Sequence, residues 1–292
     1  MNALPPVLSI AGSDNSAGAG IQADLKTMSA LGVYGLTAVS CVVAEVPGKV
    51  SAIQGMPPAL VAEQIRLCFG AFPVRALKTG LLYSADILRA VVDTLSELRS
   101  AEGTPPLVVD PVMVATSGHR LLEPESLGIY RSGLFPRATL VTPNVDEAAV
   151  LLGQSIKNRA DLAAAGRALV QEYGVAFLMK GGHLKGPIAG DVLVLPEGLE
   201  HWFEAPFVHG VYTHGTGCTY SAAIASELGK GADLVAAVGE AKRFLSRAVA
   251  GYLRWKTAEK TTDALDHFAG SGSAARSGGT GQTGRDGISL GV

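Results

Sequence analysis

The sequence contains little cysteine, no long apolar run and no excess of positive charge. Its three cysteines, Cys41, Cys68 and Cys218, lie far apart, so they predict reduced thiols rather than a disulfide framework or a zinc site. No uncharged apolar run reaches the roughly 18–20 residues that a membrane span requires. The first residues, MNALPPVLSIAG, lack the basic start of a secretory signal. We therefore expect a soluble, cytoplasmic protein.

The charge balance excludes a further class of partners. The formal net charge is −2, and the 24 Lys and Arg residues are scattered along the chain. No basic field is therefore available to attract nucleic acid or an anionic membrane. Apolar residues are abundant instead, at 48% of the 292 residues, which suffices for a large buried core. We expect the partners to be small molecules.

Short aliphatic runs alternate with longer amphipathic segments along the chain. The predicted strands are residues 7–11, 36–44, 75–80, 107–112, 139–143, 176–181 and 191–195. The predicted helices are residues 19–31, 58–70, 85–99, 145–152, 159–172, 217–229 and 233–254. This alternation indicates an α/β fold, a single domain with a central, mostly parallel β-sheet flanked by helices on both faces. Ligands bind such sheets beyond the carboxyl ends of the strands.

The end of the chain has a different composition. Residues 269–292 read AGSGSAARSGGTGQTGRDGISLGV, with many glycines and no aromatic residue. Such a segment buries too little apolar surface to offset its ordering entropy. We expect a folded domain over residues 1–268 and a disordered Gly/Ser-rich tail over residues 269–292.

Two nucleotide-binding motifs can be weighed directly. The stretch GAGIQA at residues 18–23 matches the dinucleotide pattern G-x-G-x-x-A, and the acid Glu45 ends the next predicted strand. In a dinucleotide turn the first glycine follows the strand at once, whereas residues 12–17 intervene here. The alternatives are an NAD-binding oxidoreductase and a flexible loop before a helix, and the spacing favours the loop. The P-loop pattern G-x-x-x-x-G-K-[ST] is missing, so phosphoryl transfer would need another cradle.

Three polar positions at strand ends each have a structural and a functional interpretation. Asn144 and Glu147 fit a helix capping box, and the Glu147 carboxylate could also hold Mg²⁺ through water. Asp110 ends an apolar strand and needs a cation or a helix N-terminus as partner, or else serves the turn at Asp-Pro. Lys180, followed by two glycines, could reach a phosphate or be a solvated side chain.

Residues 213–223, THGTGCTYSAA, place glycines and a thiol at the start of a helix. The amides of Gly215, Thr216 and Gly217 can face an anion there, because the helix dipole also favours negative charge. Such a nest can stabilise the charge on a transferred phosphoryl group. The same field predicts a lowered pKa for Cys218, which makes its thiol a candidate general base. The structural alternative is a small buried side chain in the first turn.

Six stretches in order carry a resemblance to a known family. They are LSIAGSDNSAGAGIQADLKTMSALGVYG (8–35), KTGLL (78–82), VVDPVMVATSG (108–118), LVTPNVDEA (140–148), LMKGGH (178–183) and THGTGCTYSAA (213–223). Together they resemble the hydroxymethylpyrimidine/phosphomethylpyrimidine kinases of thiamine biosynthesis, within the ribokinase-like superfamily. The resemblance covers about residues 7–268 and implies a ribokinase-like fold.

The resemblance also implies an activity and a set of site residues. The enzyme would use ATP and Mg²⁺ to phosphorylate a primary hydroxymethyl group and then the resulting monophosphate. Cys218 would stand where most ribokinase-like enzymes have an aspartate base, beside an anion hole formed by Gly215, Thr216 and Gly217. The implied nucleotide and phosphate ligands are Asp110, Asn144 and Lys180, and the implied metal ligands are Glu147 and Asp110. The pyrimidine pocket would be lined by Gly12, Asp24, Glu45, Leu81 and Val112, and such enzymes are commonly homodimers.

Two positions depart from the family pattern. Glu45 replaces a usual Gln, whose amide can both donate to and accept from an aminopyrimidine edge. An ionised Glu45 only accepts, so the ring nitrogen stays unsatisfied unless Glu45 or the ring carries a proton, at a cost of about 1–3 kcal/mol. Thr116 replaces a usual Lys near the transferred phosphate, which bears mainly on the second phosphorylation.

The departures keep two alternatives open. Related cysteine-bearing pyridoxal kinases also lack that Gln, and their YTHGAGC motif is similar to Tyr212-Thr213-His214 and the residues that follow, so a vitamin B6 kinase is the main alternative. The other is a non-catalytic pyrimidine-binding protein that retains the pocket without turnover.

Overall fold

The computed structural model describes residues 3–98, 104–113, 124–182, 184, 187–211 and 214–270. Thr116 and most of the predicted tail, residues 271–292, lie outside the described residues. Within them, no helix combines the length and the apolar character that crossing a bilayer requires.

A nine-stranded sheet forms the centre of the molecule, in the order β3-β2-β1-β4-β5-β6-β7-β8-β9. Its strands are β1 (Pro6–Asp14), β2 (Tyr34–Val46), β3 (Lys49–Gly55), β4 (Ala76–Thr79), β5 (Leu107–Val109), β6 (Leu140–Val141), β7 (Ala176–Lys180), β8 (Ile188–Val194) and β9 (Glu200–Pro206). The six neighbouring strands in the middle of this order pair in parallel, namely β2, β1, β4, β5, β6 and β7. Strand β3 at one edge and strands β8 and β9 at the other pair antiparallel. The predicted α/β class with a mostly parallel sheet is confirmed.

Helices cover both faces of this sheet. They are α1 (Gly20–Ala30), α2 (Pro58–Ala71), α3 (Ala85–Glu97), α4 (Pro124–Ile129), α5 (Val145–Leu152), α6 (Arg159–Tyr173), α7 (Thr216–Gly229), α8 (Leu234–Ala250) and the short α9 (His267–Gly270). One apolar core lies between the sheet and the helices α2, α3, α5 and α6. A second core lies between the opposite face and α1, α7 and α8. The central strands are therefore buried on both sides, which explains their continuous apolar sequences.

The structure differs from the predicted elements mainly at the edges. Strands β3 and β9 and a small hairpin of β10 (Leu253–Lys256) and β11 (Thr261–Ala264) were not predicted. These strands carry many exposed polar residues, so they lack the apolar runs that mark the central strands. The last long helix ends at Ala250 rather than at 254, because Gly251 closes it and the chain turns into β10.

The parallel strands bring distant residues to one edge of the sheet. Strand β1 ends at Asp14 and β7 ends at Lys180. Asp110 directly follows β5, and Asn144 lies three residues after the end of β6. Because parallel strands share a direction, these four side chains lie along the same edge. The sheet thus positions the polar residues that the sequence analysis singled out.

Candidate active site

A cleft of about 610 Å³ lies along this edge. Every predicted site residue except Asp24 lines it: Gly12, Glu45, Leu81, Asp110, Val112, Asn144, Glu147, Lys180, Gly215, Thr216, Gly217 and Cys218. The cleft therefore gathers residues from β1 through α7, although they are up to two hundred positions apart in sequence.

The N-terminus of α7 enters the cleft through a glycine turn. Gly215 precedes the helix with φ +83°, in the left-handed region, and no side chain caps the first turn. A Cβ at Gly215 would lie 1.8 Å from the Gly18 carbonyl oxygen, so only glycine lets the helix start this close to the β1–α1 loop. Thr216, Gly217 and Cys218 line the cleft, and no side chain of the described residues accepts from their backbone amides, as an anion site requires.

The environment of Cys218 contradicts the predicted low pKa. Burial raises the pKa of the thiol to about 11, and although Lys78 and the Gly20 amide favour the thiolate, Asp24 and Asp110 oppose it. The sequence argument considered only the helix N-terminus. In the folded protein the loss of solvent around the thiol is the largest effect on its pKa, because an anion loses its hydration on burial.

Lys180 and Asp110 form an ion pair against the start of α7. Lys180 Nζ lies 2.8 Å from Asp110 Oδ1. Both side chains lie close to Gly217, where a Cβ would stand 3.2 Å from Nζ and 3.5 Å from Asp110 Oδ2. Thr142 donates to Oδ1 and Ser221 of α7 donates to Oδ2. Asp110 thus has the cationic partner that its position requires, and Lys180 is directed into the cleft region rather than into bulk solvent.

Glu147 serves the capping box and also borders the cleft. Its Oε2 accepts from the Asn144 amide while Asn144 Oδ1 accepts from the Glu147 amide, both at 2.9 Å. Oε1 accepts from the Met113 amide at 3.3 Å. Burial and the charge of Asp110 raise the Glu147 pKa, and Lys180 opposes the rise. The two interpretations of this motif are therefore compatible.

The carboxylates of Asp110 and Glu147 suit a hard divalent cation. Both are buried, at 2% and 3% exposure, and both line the cleft. Oxygen ligands of this type, with remaining positions filled by water or phosphate, are what Mg²⁺ prefers. The residues present fit a magnesium ion bound beside phosphates.

Asp24 does not line the cleft, contrary to the expectation from the resemblance. It is fully buried, and its carboxylate pairs with Lys78 Nζ at 2.8 Å and accepts from Ser9 at 2.5 Å. Its position on α1 turns the side chain inward against β1 and β4, so it lies behind the wall of the cleft. It acts there on Cys218 through charge, together with Lys78.

The loop of residues 14–19 argues against a dinucleotide cradle. Asp14 accepts hydrogen bonds from the amides of Ser16, Gly18 and Ala19, at 2.7, 3.2 and 2.8 Å. A pyrophosphate would need such amides to be free. Here the Asp14 carboxylate already accepts from these amides, so the residues that match G-x-G-x-x-A belong to a turn closed by Asp14 and not to a pyrophosphate site.

Two parts of the cleft were not predicted from the sequence. At one end, Asp14 and His214 approach Glu45. In the sequence, Asp14 and His214 were noted only as members of the stretches 8–35 and 213–223, which gave no sign that they meet. Along the other wall the lining comes from β8, β9, α8 and the segment after β9, including Asp191, Phe207, Val208, Lys242, Leu245 and Val249. Strand β8 and helix α8 were predicted as elements, but β9 was not, and no motif in these segments pointed to a role in the cleft.

Comparison with known proteins identifies close similarity over most of the chain. Residues 14–263 match the family model described as phosphomethylpyrimidine kinase. The chain is 42% identical over 245 residues to the thiamine biosynthesis bifunctional protein ThiED of Geobacter sulfurreducens, with 83% of this chain and 49% of that protein covered. It is 42% identical over 250 residues to the hydroxymethylpyrimidine/phosphomethylpyrimidine kinase of Rhizobium meliloti, with 83% and 89% covered. The chain thus spans about half of the bifunctional relative and most of the other.

Solved structures share the fold. The pyridoxal kinase of Bacillus subtilis, solved as an ADP complex, has a TM-score of 0.80 and 32% identity, covering 91% of this chain and 98% of that one. The phosphomethylpyrimidine kinase of Clostridium difficile 630 has a TM-score of 0.72 and 37% identity, covering 84% and 99%. The predicted ribokinase-like fold is confirmed.

Proposed function

The chain belongs to the phosphomethylpyrimidine kinase family, and we propose that it phosphorylates 4-amino-5-hydroxymethyl-2-methylpyrimidine and then its monophosphate, using ATP and Mg²⁺. One observation carries the proposal. The open N-terminus of α7, the Lys180–Asp110 pair and the Cys218 thiol meet in one cleft, where an anion nest, a phosphate-binding cation and a proton acceptor are needed together. The name of the Rhizobium meliloti relative supports the same acceptor.

The residues of this chain divide the transfer among them. The acceptor hydroxyl attacks the γ-phosphorus and passes its proton to the Cys218 thiolate, while the bond to the leaving diphosphate breaks and ADP takes the electron pair. The Thr216, Gly217 and Cys218 amides stabilise the charge on the transferred group. Lys180 neutralises charge on the nucleotide phosphates. Asp110 and Glu147 would hold Mg²⁺, which supplies positive charge to the phosphates when bound.

The raised thiol pKa makes Cys218 a strong base that is seldom in its active form near neutral pH. Only the thiolate form can accept the proton of the acceptor hydroxyl, so the fraction of the protein in that form limits turnover. Lys78 lies behind the thiol and favours the thiolate. Turnover should therefore rise with pH through the range in which most such assays are run.

Coupled ADP release with Mg·ATP tests the proposal. We would compare the hydroxymethylpyrimidine, its monophosphate and pyridoxal as acceptors, at equal concentrations and in separate reactions. The proposal predicts the largest kcat/KM for the pyrimidine substrates. A melting shift with the pyrimidine but no ADP release would instead indicate a binding protein without turnover.

A vitamin B6 kinase is the second candidate. One observation supports it, at the end of the cleft where Asp14, Glu45 and His214 meet, which we call the ring end. Glu45 brings a carboxylate there, which can pair with a protonated pyridine nitrogen. The similarity to the Bacillus subtilis pyridoxal kinase is compatible with this candidate, but the family model and the relatives favour the pyrimidine. A larger kcat/KM for pyridoxal in the same assay would establish it.

The resemblance also implies a homodimer, and we propose that assembly for this chain. Light scattering during size-exclusion chromatography measures it directly, with twice the mass of the 30.0 kDa chain as the expected result.

A further inference from the structure

Three ionisable side chains meet at the ring end of the cleft. Asp14 ends β1, Glu45 lies near the end of β2, and His214 stands just before α7. One side-chain oxygen or nitrogen of each lies within 4.8 Å of those of the other two, and all three border the cleft. The β2–β3 register shifts between Ala44 and Glu45, and a hydrogen bond of 2.6 Å from the Glu45 amide to Asn15 holds the strand there.

Asp14 is the fixed negative charge of this cluster. Burial by itself would raise the pKa of Asp14, but the nearby His214 ring and the hydrogen bonds from Ser16 and Ala19 outweigh it and lower the pKa to about 2. The carboxylate is 2% exposed. Asp14 is therefore ionised throughout the range in which the other two groups titrate.

The His214 imidazole has one polar neighbour in the cluster. Both ring nitrogens are buried. Nε2 lies 3.5 Å from Asp14 Oδ2, whereas Nδ1 has no hydrogen-bond partner among the described residues. A buried polar group without a partner is uncommon. The ring is thus placed to exchange a proton with a neighbouring group or to meet a ligand in the cleft.

Glu45 is the natural neighbour for that proton. Burial and the Asp14 charge raise the pKa of Glu45, and His214 lowers it. With Asp14 ionised, Glu45 and His214 can share one proton in two ways. Either Glu45 is protonated beside a neutral His214, or Glu45 is ionised beside an imidazolium. Cys41 of the same strand also interacts with Glu45 through charge, and Lys49 of β3 borders the same cleft.

We propose that Glu45 and His214 hold one proton between them, and that Glu45 uses it to recognise a neutral aminopyrimidine. The protonated carboxyl donates to the ring nitrogen, and its other oxygen accepts from the exocyclic amino group, while His214 stays neutral. The contacts match those of an amide, which a carboxylate alone cannot reproduce. This inference rests on the proposed acceptor and adds that its binding carries a proton.

The proposal predicts a proton uptake that depends on pH. At a pH where the free protein already holds this proton, binding takes up none. At higher pH, where the free protein has lost it, binding must take one proton from solvent, and the acceptor affinity falls by up to about tenfold per pH unit. Glu45→Gln supplies the donor at every pH and removes this dependence.

Calorimetry with the hydroxymethylpyrimidine alone, without ATP, measures the uptake directly. Titrations at pH 6.0 and 8.5, each in two buffers of different ionisation enthalpy, give the protons bound per acceptor. We expect uptake near zero at pH 6.0 and approaching one proton at pH 8.5 for the wild-type chain. Glu45→Gln should show none at either pH, and Glu197→Gln, at an exposed turn position, should match the wild type.

Two outcomes separate this inference from the proposed function. If the wild type binds and phosphorylates the pyrimidine but takes up no more protons than Glu45→Gln, the shared proton is wrong and the proposed function stands. If the wild type turns over pyridoxal alone, the proposed function itself fails. Equal melting temperatures of the variants would show that neither result reflects misfolding.

Discussion

At the scale of single residues, Cys218 experiences two opposing effects. Burial, Asp24 and Asp110 favour the thiol, whereas Lys78 and the Gly20 amide favour the thiolate. Burial dominates, because the thiolate loses hydration that the nearby charges only partly replace. The residue is thus a strong base kept mostly protonated in the free protein.

The pH dependence of turnover tests this balance. With saturating substrates, kcat of the wild type should rise with pH between 6.5 and 9.5, by up to about tenfold per unit, as the thiolate fraction grows. Cys218→Asp should shift the rise several units lower, because a carboxyl ionises at lower pH. Stopped-time ADP release at constant ionic strength measures both profiles.

The control for this prediction is Cys218→Ser, which preserves shape but does not ionise in this range. Its turnover should fall by about 10²-fold or more, as for loss of a general base, and should not depend on pH in the same way. A wild-type profile that is flat from pH 6.5 to 9.5 would show that Cys218 is not the base.

At the scale of elements, the start of α7 depends on one backbone turn. Gly215 adopts φ +83° and packs against the Gly18 carbonyl, so the turn both reverses the chain and fixes the distance between the β1–α1 loop and the helix. The amides of the first turn are aimed by this contact. Both the left-handed backbone and the close approach to the Gly18 carbonyl require a glycine at position 215.

Gly215→Ala should therefore cost both stability and activity. The left-handed backbone costs an alanine about 1–2 kcal/mol, and the 1.8 Å approach to the Gly18 oxygen forces the helix start to move. We expect kcat/KM to fall by at least about tenfold, because displaced amides stabilise the transferred charge less well. Urea unfolding and steady-state kinetics measure the two effects.

Gly198→Ala provides the matched control. Gly198 has φ +86°, but a Cβ there would meet nothing within 4 Å, and the residue lies in the β8–β9 turn. It should lose a similar free energy to the backbone strain and keep normal kinetics. Equal kinetic losses in both variants would contradict a special role for the Gly215 contact.

At the scale of the whole molecule, a buried ion pair joins the layers beneath the cleft. Lys78 on β4 pairs with Asp24 on α1 at 2.8 Å with both side chains fully buried, and Ser9 on β1 completes the contact. Attraction to Asp24 raises the pKa of Lys78, against the effect of burial. Sheet and helix are thus fixed to each other directly behind Cys218.

Lys78→Met should lower the free energy of unfolding by about 3–5 kcal/mol, because Asp24 stays buried without its cation. Combining it with Asp24→Asn should restore part of the loss. Arg66→Met, which removes the exposed pair with Glu97, is the control and should cost about 0–1 kcal/mol. Urea denaturation at neutral pH measures all of these variants, and equal losses for Lys78→Met and Arg66→Met would contradict the prediction.

The sequence by itself determined the elements whose signals are local. The continuous apolar strands and the helices near 58–71, 85–97 and 145–152 follow from periodicity and capping residues, and the glycines before α7 predict the proposed anion nest. Most of the cleft residues follow predicted parallel strands, and the carboxyl ends of such strands lie at one edge of the sheet. The sequence therefore predicted that these residues would lie near one another.

Only the tertiary structure decided the rest. Burial by distant segments raised the Cys218 pKa and hid Asp24 behind the wall of the cleft. The meeting of Asp14, Glu45 and His214 and the wall formed by β8 and β9 depend on contacts between segments far apart in sequence. Desolvation and charge proximity are properties of three-dimensional neighbours, so no local pattern in the chain encodes them.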